Sequence, residues 1–598
     1  MLDYQAPVRD LLFSLDLVGL ADLTALEPFG HSDRETVVSL LEEFGRITGE
    51  VISPTNEVGD RVGLTVNQSD ATITTPTGFR AAYRAYVDGG WGSVPANVAY
   101  GGGGFPHTIG IAMSEMLQSA NMALALCPML TQGAIEALSH WGSEAQKEIY
   151  LPKLTSGEWA GTMNLTEPDA GSDVGAVRTK AVQAGDGTWR ITGQKIYITW
   201  GEHDLTDNII HLVLARVEGA PAGTKGISCF IVPKFVVNPD GTTAARNDVR
   251  LVSTEHKMGI HASPTCVLAF GDAGEGAVGE LIGEVNTGMR TMFTMMNNAR
   301  LAVGQQGLAL AERAYQLAYS HAMVRVQGRV VENNDPNATI IGHPDVRRML
   351  LTMRSQIEAM RHLIFLNAKA IDEGRHHPDP VARAKAGELA DLLTPLSKAW
   401  CTDLGNELCS MGVQIFGGMG YCEDTGAAQL FRDVRIAAIY EGTNGIQALD
   451  LFGRKVPMRD GAAVRELIDS MRKTCHQLNG NLMELRDDLS LAIDSLEQTT
   501  RWMLTAGRAE MIDGMAGATP YLRQFATTVA GWLMARQALQ ANVADASGVE
   551  PDPYNAAKIA TSIFFMQQIL PTTKGLIAQI TATAKPLFAI TNADLASR

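Results

Sequence analysis

The sequence predicts a multidomain α+β protein, with helices first, a β-rich middle and a long helical region after it. Three observations carry this. Apolar residues recur at helical spacing up to about residue 160, and again from about residue 286 onward. Between them the texture changes to short runs rich in Ile, Val, Thr and aromatics. The chain has 598 residues, enough for several buried cores.

The first region reads as mostly helical. "HSDRETVVSLLEEFGRITGEVI" joins a Ser/Asp start to apolar residues at helical spacing. "WGSVPANVAYGGGGFP", from Trp91, is a glycine-rich break: a loop beside a ligand or a flexible connector. "HTIGIAMSEMLQSANMALAL" predicts one long apolar helix. In the β-rich middle, "GTWRITGQKIYIT", "NIIHLVLARV" and "GISCFIVPKF" are strand signals separated by Gly, Asp and Pro. No helical pattern intervenes, so an antiparallel barrel or sandwich is expected. "TGMRTMFTMMNNARLAVGQQGLALAERAYQLAYSHAM" then predicts a very long helix, and two more follow, which suggests a bundle. Four amphipathic segments close the chain as a further, smaller helical domain. The expected domains are 1–160 (N-terminal helical), 161–285 (β-barrel or sandwich), 286–455 (catalytic helical bundle) and 456–598 (additional helical). There is no internal repeat or low-complexity tract.

Hydrophobic residues make up 45% and charged residues 19%, as in ordinary globular proteins. The net charge of -16 argues against a nucleic-acid or anionic-membrane binder, both of which need a basic face. It leaves room for an anionic ligand in a local pocket. The seven cysteines are scattered and none forms C-x-x-C, so neither a zinc site nor a disulfide framework is expected. Buried free thiols in a reducing cytoplasm are the simplest reading. The first twenty residues carry acids at Asp3 and Asp16 where a signal peptide would be basic or apolar. No stretch reaches the ~18 apolar residues of a membrane span, and a cytoplasmic protein is expected.

The common catalytic signatures are missing. No G-x-G-x-x-G lies between a strand and a helix, and there is no phosphate loop, H-E-x-x-H or G-x-S-x-G. What stands out is "MNLTEPDAGSDVGAVRTKA", Met163 to Ala181. It offers the hydroxyls of Thr166 and Ser172, and Gly171 lets backbone approach a ligand. Exposed N–H groups in such a turn suit a pyrophosphate. The second is "IYEGTNG", where a lone carboxylate, Glu441, follows apolar residues and precedes glycine. In isolation it reads as a helix N-terminal acid.

These stretches resemble the acyl-CoA dehydrogenase family. "LTEPDAGSD" resembles its flavin signature and "GQKIYIT" its strand against the isoalloxazine. "VQIFGGMGY" resembles its adenosine-side loop and "RDVRIAAIYEGTNGIQ" its catalytic turn. The four stand in the family's order, and the resemblance covers roughly residues 30 to 455. The start "YQAPVRDLLFSLD" and the extra C-terminal helices resemble the long bacterial branch. That branch includes 3-methylmercaptopropionyl-CoA dehydrogenases and mycobacterial-type enzymes. The implied fold is a helical N-terminal domain, an antiparallel β-domain, a four-helix bundle and an appended helical domain.

The resemblance implies FAD-dependent α,β-dehydrogenation of an acyl-CoA, as in β-oxidation, with electrons passed to electron-transferring flavoprotein. It makes Glu441 the base, Gly442 a backbone donor to the thioester carbonyl, and Ser172 and Arg300 substrate contacts. Some relatives carry the base immediately before the matched arginine; here that position is Ala299. Asn297 replaces a common aspartate. For FAD it implies Met163, Leu165, Thr166, Gly171, Ser172, Tyr197, Thr199, Arg325, Gln327, Gln414, Gly417, Gly418 and Thr443. Tyr197 stands where many relatives have tryptophan, Gly445 replaces a frequent glutamine, and the phenylalanine usual after Gln327 is missing. Arg325 and Gln327 match residues that reach a neighbouring subunit's FAD, which implies a homodimer or larger. No metal is expected. An oxidase re-oxidised by O2 and a non-enzymatic acyl-CoA binder are the alternatives. Chain length stays open between straight, branched and methylthio acyl groups.

Overall fold

The computed structural model describes residues 4–330, 337–546 and 552–596. Two compact units form: Met1–Val8 with His31–Ala302, and Arg9–Gly30 with Val303–Arg598. The chain opens with α1 (Val8–Val18) and α2 (Leu20–Thr24), which from Arg9 on belong to the second unit.

The first unit begins with α3 (Arg34–Ile47), α4 (Pro54–Val62), the two-stranded β1 (Thr65–Asn67) and β2 (Thr72–Thr74), and α5 (Phe79–Asp88). The glycine-rich stretch after α5 is not a loose connector. Gly102, Gly103, Gly104 and Phe105 donate backbone bonds to Asn97, Ser93, Ala96 and Val94, and His31 Nε2 lies 2.9 Å from the Gly103 carbonyl. The single helix expected next is two, α6 (His107–Ala120) and α7 (Met122–Trp141). Asn121 breaks it: its backbone is extended (φ -157°), its Oδ1 caps the Leu124 N–H at 3.0 Å, and its Nδ2 reaches Thr55 Oγ1 at 2.9 Å. An amide that satisfies two groups outweighs the apolar pattern around it. α7 is long and apolar enough to cross a membrane, contrary to expectation, but most of it is buried inside the unit, as in a core helix.

After α8 (Glu144–Ser156) come β3 (Trp159–Asn164), β4 (Lys180–Gln183), β5 (Trp189–Thr199), β6 (Asn208–Val217), β7 (Ile227–Pro233), β8 (Phe235–Val237), β9 (Thr243–Arg246), β10 (Val249–Thr254), β11 (Thr265–Phe270) and β12 (Ala277–Ile282). β8 and β9 pair apart from the main sheet. The pairings β5–β12–β7–β6 return to β5 through β4, closing a small barrel. β11 and β10 extend it from β5, and β3 extends it from β6. The pairing is antiparallel except that β3 and β4 each run parallel to β6. β6 reads as a nearly unbroken apolar run because both faces are covered. Ile210, Leu212 and Leu214 pack toward residues of α7 and α8, while Val213 and Ala215 pack among Phe230, Leu268 and Phe270.

His211 interrupts that run. It is fully buried, with Nδ1 2.7 Å from Thr162 Oγ1. Burial holds its pKa at about 3, and burial also holds that of the neighbouring His203 well below its usual value. Unfolded histidines, near 6.5, therefore bind protons that these two refuse, so stability falls as pH drops below 6.5. Each should cost about 1 kcal/mol between pH 7 and 5.5. Urea midpoints at the two pH values check this, and His211→Asn should flatten the dependence.

In the second unit, α9 (Gly288–Val324), which starts in the first, continues from Val303 and packs with α10 (Pro344–His376) and α11 (Pro380–Phe416). A Cβ on Gly307 would lie 2.1 Å from the Cys401 carbonyl oxygen, so glycine is what lets the backbones of α9 and α11 touch. α12 (Ala427–Val434) and α13 (Asn444–Asp450) follow, then α14 (Ala462–Gln477), α15 (Met483–Leu504), the short α16 (Ala506–Ala509), α17 (Met511–Ala546) and α18 (Pro553–Phe564). The appended helices fall in the same unit as the bundle. α17 packs on α10, α11 and α13. Buried polar contacts join them: Trp400 Nε1 donates to Thr527 Oγ1 at 3.2 Å, and Lys558 sits 3.0 Å from Glu358 Oε1 and 2.7 Å from Asp10 Oδ1. Six of the seven cysteines are buried as expected. Cys422 is the exception, exposed in the turns that follow α11.

Candidate active site

The site residues expected from sequence divide between the two units. In the first unit they gather where β3 leaves the barrel. Met163 is buried at the end of β3, Leu165 and Thr166 are half-buried, and Gly171 and Ser172 are exposed. Met163 and Leu165 belong to an apolar cluster rich in methionine, with Met129, Met289, Met292, Met295 and Met296. The loop after β3 packs Ala170 and Val177 into this cluster and Leu165, Val174 and Ala176 against it. Its polar anchor is Glu167.

Glu167 is buried and accepts four hydrogen bonds: from the backbone N–H of Arg178 (2.7 Å) and Thr179 (3.0 Å), from Thr179 Oγ1 (2.5 Å) and from Lys195 Nζ (2.8 Å). Lys195 is fully buried on β5 and donates also to the Leu165 carbonyl at 3.0 Å. The Ile196 N–H reaches the Thr166 carbonyl at 3.0 Å. One carboxylate and one ammonium thus pin both ends of the loop to the barrel. Burial drags the Lys195 pKa down to about 8, against the pull of Glu167. Burial pushes Glu167 up, but the ammonium and the other donors outweigh it and hold the acid below its usual range. The two shifts carry opposite signs for stability because Lys195 has lost all its water while Glu167 has gained four donors.

Tyr197 has φ +59° and is 60% exposed, and Thr199 is half-buried. The β5–β11 register slips between the Cys266–Ile198 and Leu268–Lys195 pairs, and this bulge lets Lys195 point inward while the Tyr197 ring faces out. Trp200, also left-handed (φ +54°), is buried and anchors β5 by an Nε1 bond to the Ala123 carbonyl at 3.1 Å.

This loop fits a flavin nucleotide. The N–H groups of Gly171 and Ser172 bond to no other described residue, and a Cβ on Gly171 would meet nothing within 4 Å. Exposed backbone donors suit a phosphate, and the exposed Tyr197 ring suits a flat ring. Arg300 is also in the first unit, on α9, buried and 3.2 Å from Asn297 Oδ1, with Ala299 buried beside it.

In the second unit the expected residues form two groups. Gln414, Gly417 and Gly418 close α11, all exposed, and Arg325 and Gln327 follow α9, also exposed. The rings of His321 and Phe416 stack at 4.3 Å, so both sets lie at one end of the α9–α11 pair. His343 Nε2 fixes the Gln327 carbonyl at 2.8 Å.

The other group is the turn of Glu441. Glu441 is half-buried with φ +57°, and Gly442 follows at φ +87°. Two successive left-handed residues make a sharp turn, which Thr443 ends by capping α13: its Oγ1 accepts from the Ile446 N–H at 3.3 Å. Tyr440, half-buried, hydrogen-bonds through its OH to Gln306 Oε1. Asn444 lies against residues 398–403 of α11. Gln414 stands about fourteen residues further along a helix that rises about 1.5 Å per residue, so the two groups are roughly 20 Å apart. Gly445 is exposed and, with only Thr443 Oγ1 within 4 Å, leaves the space of the usual glutamine open.

Glu167 and Lys195 both stand inside the family-like motifs, but the motifs assign neither of them a role. The signal was there: Lys195 shares the alternation of Trp189 and Ile191, a lysine at a core-facing position. The Asn444 contacts had no such signal.

Family models match the chain in order. Residues 60–158 match the acyl-CoA dehydrogenase N-terminal domain, 162–273 its middle domain and 286–455 its C-terminal domain. Residues 467–591 match a model described as acetyl-CoA dehydrogenase C-terminal like. The chain is similar to the 3-methylmercaptopropionyl-CoA dehydrogenase of Ruegeria pomeroyi, 44% identical over 596 residues, 98% of this chain and 99% of that one. It is also similar to a broad-specificity linear acyl-CoA dehydrogenase of Mycobacterium tuberculosis, 35% identical over 599 residues, 96% of each. Among solved structures, an acyl-CoA dehydrogenase from Bacillus anthracis in complex with FAD superposes with a TM-score of 0.71 at 20% identity, covering 94% of this chain and 89% of that one.

Proposed function

The chain belongs to the acyl-CoA dehydrogenase family, an FAD-dependent oxidoreductase family, and from that premise we propose that it oxidises 3-methylthiopropanoyl-CoA to the trans-2-enoyl-CoA, with Glu441 taking the α-proton. The observation that carries the chemistry is the left-handed Glu441–Gly442 turn in a chain matched by the family models in order. Bound FAD supplies the acceptor for the β-hydride.

The remaining work falls to side chains and backbone. An α-C–H is a weak acid, so its removal needs both a placed base and donors to the thioester oxygen as negative charge builds there. Glu441 is that base, and the proton ends on its carboxyl group. Gly442 has no side chain to keep its N–H from the thioester carbonyl, and Arg300 and Ser172 are substrate contacts. Met163, Leu165, Thr166, Gly171, Ser172, Tyr197, Thr199 and Thr443 would hold the flavin end. Arg325, Gln327, Gln414, Gly417 and Gly418, roughly 20 Å along α11 from the base, would serve the FAD of a second subunit in a homodimer. Electron-transferring flavoprotein would take the electrons onward.

The substrate reading is supported by the 44% identity to the Ruegeria enzyme over nearly the whole chain. Anaerobic flavin bleaching against an acyl-CoA panel tests it. The expected result is a kcat/KM for 3-methylthiopropanoyl-CoA at least tenfold above those for butanoyl- and octanoyl-CoA. Equal rates across linear chains overturn the substrate, and no bleaching with any thioester overturns the reaction. Rapid peroxide release in air would favour the oxidase alternative.

A further inference from the structure

We propose that Asn444 and Lys398 are positioning residues for the base: a latch of a half-buried amide and a buried ammonium that holds the Glu441 turn against α11. The inference rests on the reading of Glu441 given above.

The turn needs such a hold. Glu441 at φ +57° is left-handed without being glycine, which costs on the order of 1 kcal/mol or more, and Gly442 adds no side chain to stiffen it. Strain of this kind persists only where the surroundings over-determine the conformation. Asn444, three residues after Glu441 and first in α13, supplies the surroundings. Its Nδ2 lies 3.1 Å from the Ala399 carbonyl, 3.0 Å from Thr402 Oγ1 and 2.7 Å from Asp403 Oδ1. Its Oδ1 accepts from Lys398 Nζ at 2.8 Å and from Thr402 Oγ1 at 3.2 Å. Every one of these contacts is to residues 398–403 of α11, about one and a half turns.

Lys398 makes the latch strong. Its residue is fully buried, so its ammonium has given up water and depends on partners inside the protein. A hydrogen bond from a desolvated cation is worth more than a neutral one. It polarises the Asn444 amide, which strengthens that amide's own donation toward Asp403. Two lesser ties, Gln447 Nε2 to the Gly442 carbonyl at 3.3 Å and Tyr440 to Gln306, hold the turn at its middle and its start. Neither fixes it to α11. A base displaced by about 1 Å loses on the order of a hundredfold in rate, so loosening this latch should act on catalysis before it acts on binding.

The experiment compares Asn444→Ala, Asn444→Ser and Lys398→Met with the parent and with Glu441→Gln, all as FAD-loaded holoenzyme. Because Lys398→Met can fail to fold, the Asn444 variants carry the test. Single-turnover bleaching with a saturating acyl-CoA is read beside KM, FAD content and melting temperature. Asn444→Ala should slow bleaching ten- to a hundredfold with KM within twofold and FAD fully retained. Asn444→Ser, which keeps one donor and one acceptor, should recover part of the rate. In a Glu441→Gln background Asn444→Ala should have no further effect. An unchanged bleaching rate in Asn444→Ala, or a loss that only tracks lost FAD, overturns the latch while Glu441→Gln remains inactive. Full bleaching in Glu441→Gln overturns the base itself and the latch with it.

Discussion

Glu441→Gln should lower the rate of flavin bleaching by about a hundred- to ten-thousandfold, the usual range for loss of a general base. Glutamine has nearly the same shape and can occupy the same left-handed turn, but it cannot accept the α-proton. No second carboxylate stands at the alternative family position, which is Ala299. The flavin loop has its own anchors in Glu167 and Lys195, and the end of α11 lies roughly 20 Å from the turn. The variant should therefore bind FAD and remain yellow. Absorbance at the flavin band after gel filtration, with stopped-flow bleaching, checks both halves of the prediction. Glu441→Asp should fall between parent and glutamine variant, since its carboxylate is set back by one methylene.

Lys195→Met should cost about 3–5 kcal/mol of stability, the range for removing one partner of a buried ion pair. The substitution keeps the apolar stem and deletes only the charge. Glu167 is then left buried with backbone and hydroxyl donors but no cation, and the Leu165 carbonyl loses its donor. For the first unit, whose residues 1–8 and 31–302 carry the pair, about 1 kcal/mol corresponds to slightly under 2 °C, so its melting temperature should drop by roughly 5–8 °C. Because the loop from Leu165 to Ser172 is released, FAD should also be lost on gel filtration where the parent retains it. The double variant Glu167→Gln/Lys195→Met should recover part of the stability, since neither charge is then stranded. Differential scanning calorimetry of the single and double variants decides it. Equal melting temperatures for parent and Lys195→Met would mean the pair does not anchor the loop.

These two predictions separate what could be read from sequence and what could not. Glu441 and Gly442 were singled out only by their place in the family-like motif, since in isolation the acid reads as a helix N-terminal group. β5, β6 and β7 were legible because their apolar runs end at Gly, Asp and Pro. The break between α6 and α7 was not, since Asn121 sits in an apolar pattern and acts through Thr55, far away in the chain. Parallel pairing of β3 with β6 was equally hidden, because side-chain alternation is the same for either direction. Exposure of Cys422 depended on where the turns after α11 fall.

By itself the sequence determined the order of helical and β regions, which rests on local spacing, and the family, which rests on the resemblance of four ordered motifs. Only the tertiary structure decided which polar groups share a buried site. Lys195 meets Glu167 across 28 residues, and Lys398 meets Asn444 across 46. The physical reason is desolvation. An ammonium stripped of water must be met by a partner in three dimensions, and nothing in the residues beside it says which one.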